Sequence, residues 1–240
     1  MAIYEPEYLV EYRREINEFG FAIIPNVVSD RAIEAVLTEL EQLSGASSSR
    51  RGQVYAARNL LKTVPSIAQL AASPEIRSLV EPILGPAAFP VRGLLFDKVP
   101  EANWHVGWHQ DQIIPVAEQK ETPGFTAWTM KHGVSHVRPP ANVLEGMLTL
   151  RIHLDDCGPH NGPLQVLRGS HKHGFLADAQ IQAALANSEP TLCEASRGAV
   201  LAMRPLLLHA SSPAREPSHR RVIHLEYAAE RLPGELEWPR

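Results

Sequence analysis

Trp108-His109-Gln110-Asp111 is the stretch of this sequence whose residue types and spacing suggest chemistry most directly. In an extended strand successive side chains alternate faces, so His109 and Asp111 point the same way and Gln110 points away. An imidazole and a carboxylate on one face are two thirds of the 2-His-1-carboxylate set, which holds Fe(II) on one side and leaves positions open on the other. Alone the motif is weak, because 11 His and six Asp in 240 residues give roughly 0.3 chance occurrences of His-x-Asp. The missing ligand is a second His. His209 is the candidate, since it ends the apolar run Ala199–Leu208, where a lone imidazole needs a partner or the surface. Arg220 follows eleven residues later, at the start of a segment that a short loop can pair beside the strand of His209. A permanently charged planar fork near an iron site suits the far carboxylate of a dicarboxylate cosubstrate, held bidentately.

Those residues need strands to carry them. From Phe89 onward short extended segments replace helical periodicity, which returns only in a helix expected over Ala177–Ala186. Met147–Leu154 reads as a strand with Leu148, Leu150, Ile152 and Leu154 on one face and Thr149, Arg151 and His153 on the other. One face is therefore unusually polar for a barrel interior or unusually basic for a surface. Ala199–Leu208 reads as one strand that delivers His209, and Arg220–Tyr227 as the last strand. Lys98, Thr149 and Arg151 are candidates to help hold cosubstrate or substrate. The stretch from about 113 to 145, rich in Pro, Gly, aromatic residues and His132, reads as a lid-like loop. Trp104, His105, Trp128 and His136 flank the metal strand or sit in that loop, and are the candidate substrate-pocket residues.

The first 88 residues read as a largely helical buttress, with residues 89–240 as the body. A helix over Glu5–Glu18 leads into a short buried strand, Phe19–Pro25. Ser29 is an N-cap for a helix burying Ile33, Val36, Leu37, Leu40 and Leu43. Ser44–Gly52 is small and polar, and reads as a loop. Pro74 opens another amphipathic helix that stops at Gly85-Pro86.

Length suits one domain. A net charge of −4 offers no general basic surface for nucleic acid, which leaves a small organic molecule as the expected partner. Two cysteines, Cys157 and Cys193, are too few for a disulfide framework and fit a reducing compartment, with the cytoplasm as the default. No signal peptide or membrane-spanning run is evident. Composition says nothing about oligomeric state.

Trp108–Asp111, Asn161-Gly162-Pro163-Leu164 leading into Gly169-Ser170-His171, and His209 followed by Arg220 together resemble the phytanoyl-CoA dioxygenase (PhyH-like) family of Fe(II)/2-oxoglutarate oxygenases. Phe19–Pro25 and the helix after it are similar to that family's N-terminal region. The resemblance implies a mainly β fold with flanking helices around a double-stranded β-helix, a cupin-like jelly-roll with the metal near one mouth. It implies His109, Asp111 and His209 as metal ligands and catalytic centre, and Arg220, in preference to Arg221, for 2-oxoglutarate. The implied reaction uses O2 and 2-oxoglutarate to hydroxylate an unactivated C–H bond of a small molecule, releasing succinate and CO2. The phytanoyl-CoA substrate itself is not implied. Two other readings stay open from the residues alone: a non-catalytic cupin-like metal-binding module or sensor, and a zinc hydrolase with water in the fourth position.

Overall fold

The computed structural model describes residues 6–46, 56–131 and 133–239. Most of the expected Ser44–Gly52 loop, and His132, lie outside them. The first part is helical: α1 (Pro6–Glu18), the short strand β1 (Phe21–Ile24), α2 (Asp30–Ala46), β2 (Ala56–Ala57), α3 (Leu60–Thr63), α4 (Pro65–Ala71) and α5 (Pro74–Leu84). Ser29 Oγ accepts from the Ala32 amide at 3.4 Å and Ser73 Oγ from the Ile76 amide at 3.4 Å, so both expected helix starts are capped. Ser44 and Ala46 belong to α2, not to a loop.

Thereafter come β3 (Phe89–Asp97), β4 (Val106–His109), β5 (Ile114–Val116), β6 (Thr126–Lys131), β7 (Val134–Arg138), α6 (Ala141–Glu145), β8 (Leu148–His153) and β9 (Leu164–Val166). A 3-10 turn at Ser170–His173 precedes α7 (Asp178–Asn187), β10 (Thr191–Cys193), β11 (Val200–Met203), β12 (His209–Ser211) and β13 (Arg221–Ala228). Six strands pair in the order β1-β11-β8-β13-β3-β2 and four in the order β10-β9-β12-β4. These two antiparallel sheets are the jelly-roll.

The alternation along β8 divides the molecule. Leu148, Leu150, Ile152 and Leu154 pack outward with Ile223, Leu225 and Tyr227 of β13 against α1, α2, α4 and α5. Each such side chain contributes about 1.5–3 kcal/mol through burial. The Tyr227 hydroxyl donates to the Ala71 carbonyl at 3.0 Å, tying the sheet to the helical layer. Thr149, Arg151 and His153 face inward and are buried all the same. The polar face is thus the barrel interior.

Three expectations need correction. Ala199–Leu208 is not one strand: β11 ends at Met203, Arg204–Leu207 forms a turn closed by the Leu207 amide on the Arg204 carbonyl at 3.0 Å, and His209 begins a strand in the other sheet. Pro205 lacks the amide a continuing ladder needs. Arg220 does not start a strand beside that of His209, because β13 pairs with β3 and β8 in the six-stranded sheet. Residues 113–145 are not a loop: β5, β7 and β6 form a three-stranded sheet, followed by α6. Ile114, Val116 and Val137 bury there around Phe125 and Leu144, and Pro115 is tolerated because β5 is an edge strand. Among the described residues no helix is long and apolar enough to cross a membrane.

Candidate metal and cosubstrate site

His109 is the last residue of β4 and His209 the first of β12, and the antiparallel pairing sets them directly opposite each other. Their ring centroids are 4.2 Å apart. Asp111 lies just beyond β4, held by its amide on the Pro205 carbonyl at 2.9 Å. Gln110 points away, as strand alternation requires, and anchors the turn: its Nε2 donates to the Gly174 and Leu206 carbonyls, each at 2.8 Å, and its Oε1 accepts from the Leu176 amide at 2.9 Å.

Both imidazoles have their Nδ1 on a carbonyl at 2.8 Å, His109 on Gly107 and His209 on Leu207. A carbonyl only accepts, so each Nδ1 carries the proton and each Nε2 presents a lone pair. Those two nitrogens lie 3.9 and 3.8 Å from the two Asp111 carboxylate oxygens, too far to hydrogen-bond. One ligand atom from each of the three residues lies within 4.8 Å of the others, and buried Asp111 Oδ2 has no hydrogen-bond partner. Two bare imidazole nitrogens and an unsatisfied carboxylate around one small volume fit a divalent cation. Burial opposes charge on Asp111, but His209, His224, His109 and Arg151 outweigh it and hold the carboxyl below its ordinary range. Burial also lowers His209 to about 4, against the pull of Asp111.

The pocket behind these residues, about 160 Å³, is lined by Lys98, Arg151 and Arg220 as well as the three candidate ligands. Lys98 is wholly buried, its ammonium donating to Ser211 Oγ at 2.8 Å and the Ser212 carbonyl at 2.6 Å. The Arg220 guanidinium donates to the Gly162 carbonyl and to Ser211 Oγ, the latter at 3.3 Å. Arg151 donates to His224 Nδ1 at 3.2 Å, and His224 Nε2 in turn donates to Glu226 at 3.2 Å. None of the three cationic heads pairs with a carboxylate among the described residues, and Arg151 Nε and Arg220 Nε have no partner. Burial lowers Lys98 to about 8 and Arg151 to about 10, and in both cases Arg220 adds to the effect. A pocket that gathers three mutually repelling buried cations is built to receive an anion.

Gly162 fixes one wall. At φ +61° it takes a conformation that disfavours side chains, and a Cβ there would lie 2.6 Å from the Ser212 carbonyl oxygen. The Asn161-Gly162-Pro163 turn thus supplies the acceptor that orients Arg220. Arg221 faces the other way, paired with Asp155 at 2.6 Å.

Strand alternation also identifies what sequence reasoning missed. Ser211 stands two residues after His209, His224 four after Arg220, and Phe96 two before Lys98, and all three line the pocket. Of the expected substrate-pocket residues, only Trp104 lines it, its ring 5.9 Å from the Lys98 ammonium. His105 is exposed, Trp128 packs beside the cluster around Val91 and Phe125, and His136 lines a separate cleft. Thr149 is buried on the inner face of β8 with its hydroxyl unpartnered, and does not line the metal pocket.

The family signature of phytanoyl-CoA dioxygenase (PhyH) matches residues 16–222, a span that holds His109, Asp111, His209 and Arg220. The chain belongs to the PhyH family. This PhyH-family chain is 24% identical over 164 residues to an ectoine dioxygenase of Stutzerimonas stutzeri (strain A1501), an alignment covering 64% of this chain and 47% of that protein. The chain therefore matches about half the length of that curated relative. Among solved structures it is similar to AviO1 from Streptomyces viridochromogenes Tue57, with a TM-score of 0.68 and 25% identity over 94% of this chain and 96% of that one. It is also similar to iron-bound EctD from S. alaskensis, with a TM-score of 0.72 and 19% identity over 99% of this chain and 80% of that one. The PhyH-family chain thus shares its jelly-roll fold with both.

Proposed function

We propose that this protein is an Fe(II)- and 2-oxoglutarate-dependent dioxygenase that hydroxylates an unactivated C–H bond of a small organic molecule, with release of succinate and CO2. The observation that carries this reading is the juxtaposition of two charge patterns. Two imidazoles and a carboxylate surround a cation-sized space, and three buried cations beside it lack any carboxylate. A divalent cation would answer the first pattern and a dicarboxylate dianion the second.

In this reading His109, Asp111 and His209 hold the iron, while Arg220, Lys98 and Ser211 hold the far carboxylate of 2-oxoglutarate. When bound, iron and 2-oxoglutarate supply the oxidising chemistry that activates O2. The chain's own residues orient and exclude. The two Nδ1–H bonds aim the imidazoles and raise the basicity of Nε2. The Gly162 carbonyl aims Arg220, and the His224–Glu226 pair aims Arg151. Phe96, Val106 and Leu164 keep water from the pocket wall. A metal-binding module without turnover, or a zinc hydrolase, would leave the three unpaired cations without a task. The two buried free thiols support a reducing, cytoplasmic setting.

Anaerobic titration of metal-free protein with Fe(II) and then 2-oxoglutarate tests this. A visible charge-transfer band that is lost in His209→Ala and weakened in Arg220→Ala is the expected result. Iron binding without any band on addition of 2-oxoglutarate would overturn the cosubstrate site.

A further inference from the structure

A second cleft, about 240 Å³, opens at the edge of β3 beyond its short pairing with β2 at Leu95 and Phe96. Four basic side chains reach it from separate segments: Arg58 after β2, Lys62 on α3, Arg92 on β3 and Lys131 on β6. No carboxylate among the described residues lines it. Arg92 is spoken for, since it pairs with Glu226 at 3.0 Å; Arg58, Lys62 and Lys131 make no ion pair among the described residues. His136 lies buried among them, with Nδ1 on the Val134 carbonyl at 2.9 Å, which leaves Nε2 for the cleft. Burial lowers its pKa, and Arg92, Lys131 and Arg58 add to the effect. The floor is apolar, with Leu61, Leu94 and Pro115.

The cleft and the metal pocket are neighbours along one strand face. Arg92, Leu94 and Phe96 point to the same side of β3. Leu94 lines the cleft and Phe96 the metal pocket. Two residues of strand span about 7 Å. Below that face Arg92, Glu226, His224 and Arg151 form a continuous hydrogen-bonded chain from one site to the other.

We propose that this cleft binds an amphipathic organic anion, with its carboxylate or phosphate among Arg58, Lys62 and Lys131 and its apolar body along Leu61, Leu94 and Pro115. We infer that this anion is the substrate, its far end reaching the metal pocket past Phe96. The second statement rests on the oxygenase reading; the first does not.

Calorimetric titration of the metal-free full chain with octyl phosphate, octanoate and octanol tests the cleft without turnover. Both anions should bind at least tenfold more tightly than octanol, and whichever of the two binds better identifies the preferred head group. The surface double variant Arg58→Glu/Lys131→Glu, checked for an unchanged Tm, should lose at least tenfold in anion affinity. Equal binding of octanol, or unaltered anion binding in the double variant, overturns the site. Adding the better anion to the anaerobic Fe(II)–2-oxoglutarate protein should shift the charge-transfer band. Anion binding at the cleft with no such shift overturns the substrate assignment. Absence of the band itself counts against the oxygenase reading and leaves the cleft standing.

Discussion

His209 faces His109 across the β4–β12 pairing, and both aim a bare Nε2 at the carboxylate of Asp111, which lies outside the ladder. Two of the three groups are thus placed by the register of one strand pair, and the third by the turn that Gln110 anchors.

His109→Ala, Asp111→Ala and His209→Ala should each weaken Fe(II) binding by at least about 100-fold, more than the 10–100-fold typical of groups that only orient a ligand. Gln110→Ala should fall in that smaller range, because it acts only through the turn. Anaerobic Fe(II) titration, with circular dichroism to confirm folding, checks the order.

Gly162→Ala should cost about 1–3 kcal/mol of stability through its left-handed backbone and the clash with the Ser212 carbonyl. Since the same peptide carries the acceptor for Arg220, 2-oxoglutarate affinity should fall with it. Urea unfolding and the charge-transfer titration read the two effects separately; full stability with weakened binding would contradict the steric argument.

Lys98→Met removes one of three buried like charges from the pocket. The expected outcome is a metal-free protein as stable as the wild type, or more stable by about 1 kcal/mol, with 2-oxoglutarate bound about tenfold more weakly. A loss of several kcal/mol would show that the ammonium is structural.

His153 is buried with neither ring nitrogen bonded, and burial, with Arg151 and Arg220, lowers its pKa to about 3. A His depressed in the fold is protonated first in the unfolded chain, so its contribution is complete above pH 6.5 and is lost as pH falls toward 3. Between pH 7 and 5 that loss is about 2 kcal/mol. His153→Leu should flatten this part of the stability curve, measured by urea unfolding at each pH.

Much of the site was legible because strand alternation is a strict rule. His109 with Asp111, and Thr149, Arg151 and His153 against the leucines of β8, follow from period two alone. The same rule identifies Ser211, His224 and Phe96 once a neighbour on each strand is known. What period two does not reveal is where a strand stops. Pro205 ends β11 and sends His209 to the opposite sheet, and the apolar run around it looks uniform because both flanks are buried. Residues 113–145 misled for a related reason: their strands are short, and Pro and Gly break the pattern between them. His136 is singled out by its place in the 113–145 stretch, yet its register on β7 turns it toward the other cleft.

The two jelly-roll sheets divide the work unequally. His109 and His209 both belong to the four-stranded sheet, whereas Lys98, Arg151 and Arg220 belong to β3, β8 and β13 or their immediate ends in the six-stranded one. A metal ion held by the first group cross-links strands that are already paired. A dicarboxylate held by the second group and by that metal would clamp together layers otherwise joined by apolar packing and a few side-chain hydrogen bonds. Amide exchange in β4 and β12 should therefore slow only modestly with metal, and much further once the dianion closes the sandwich.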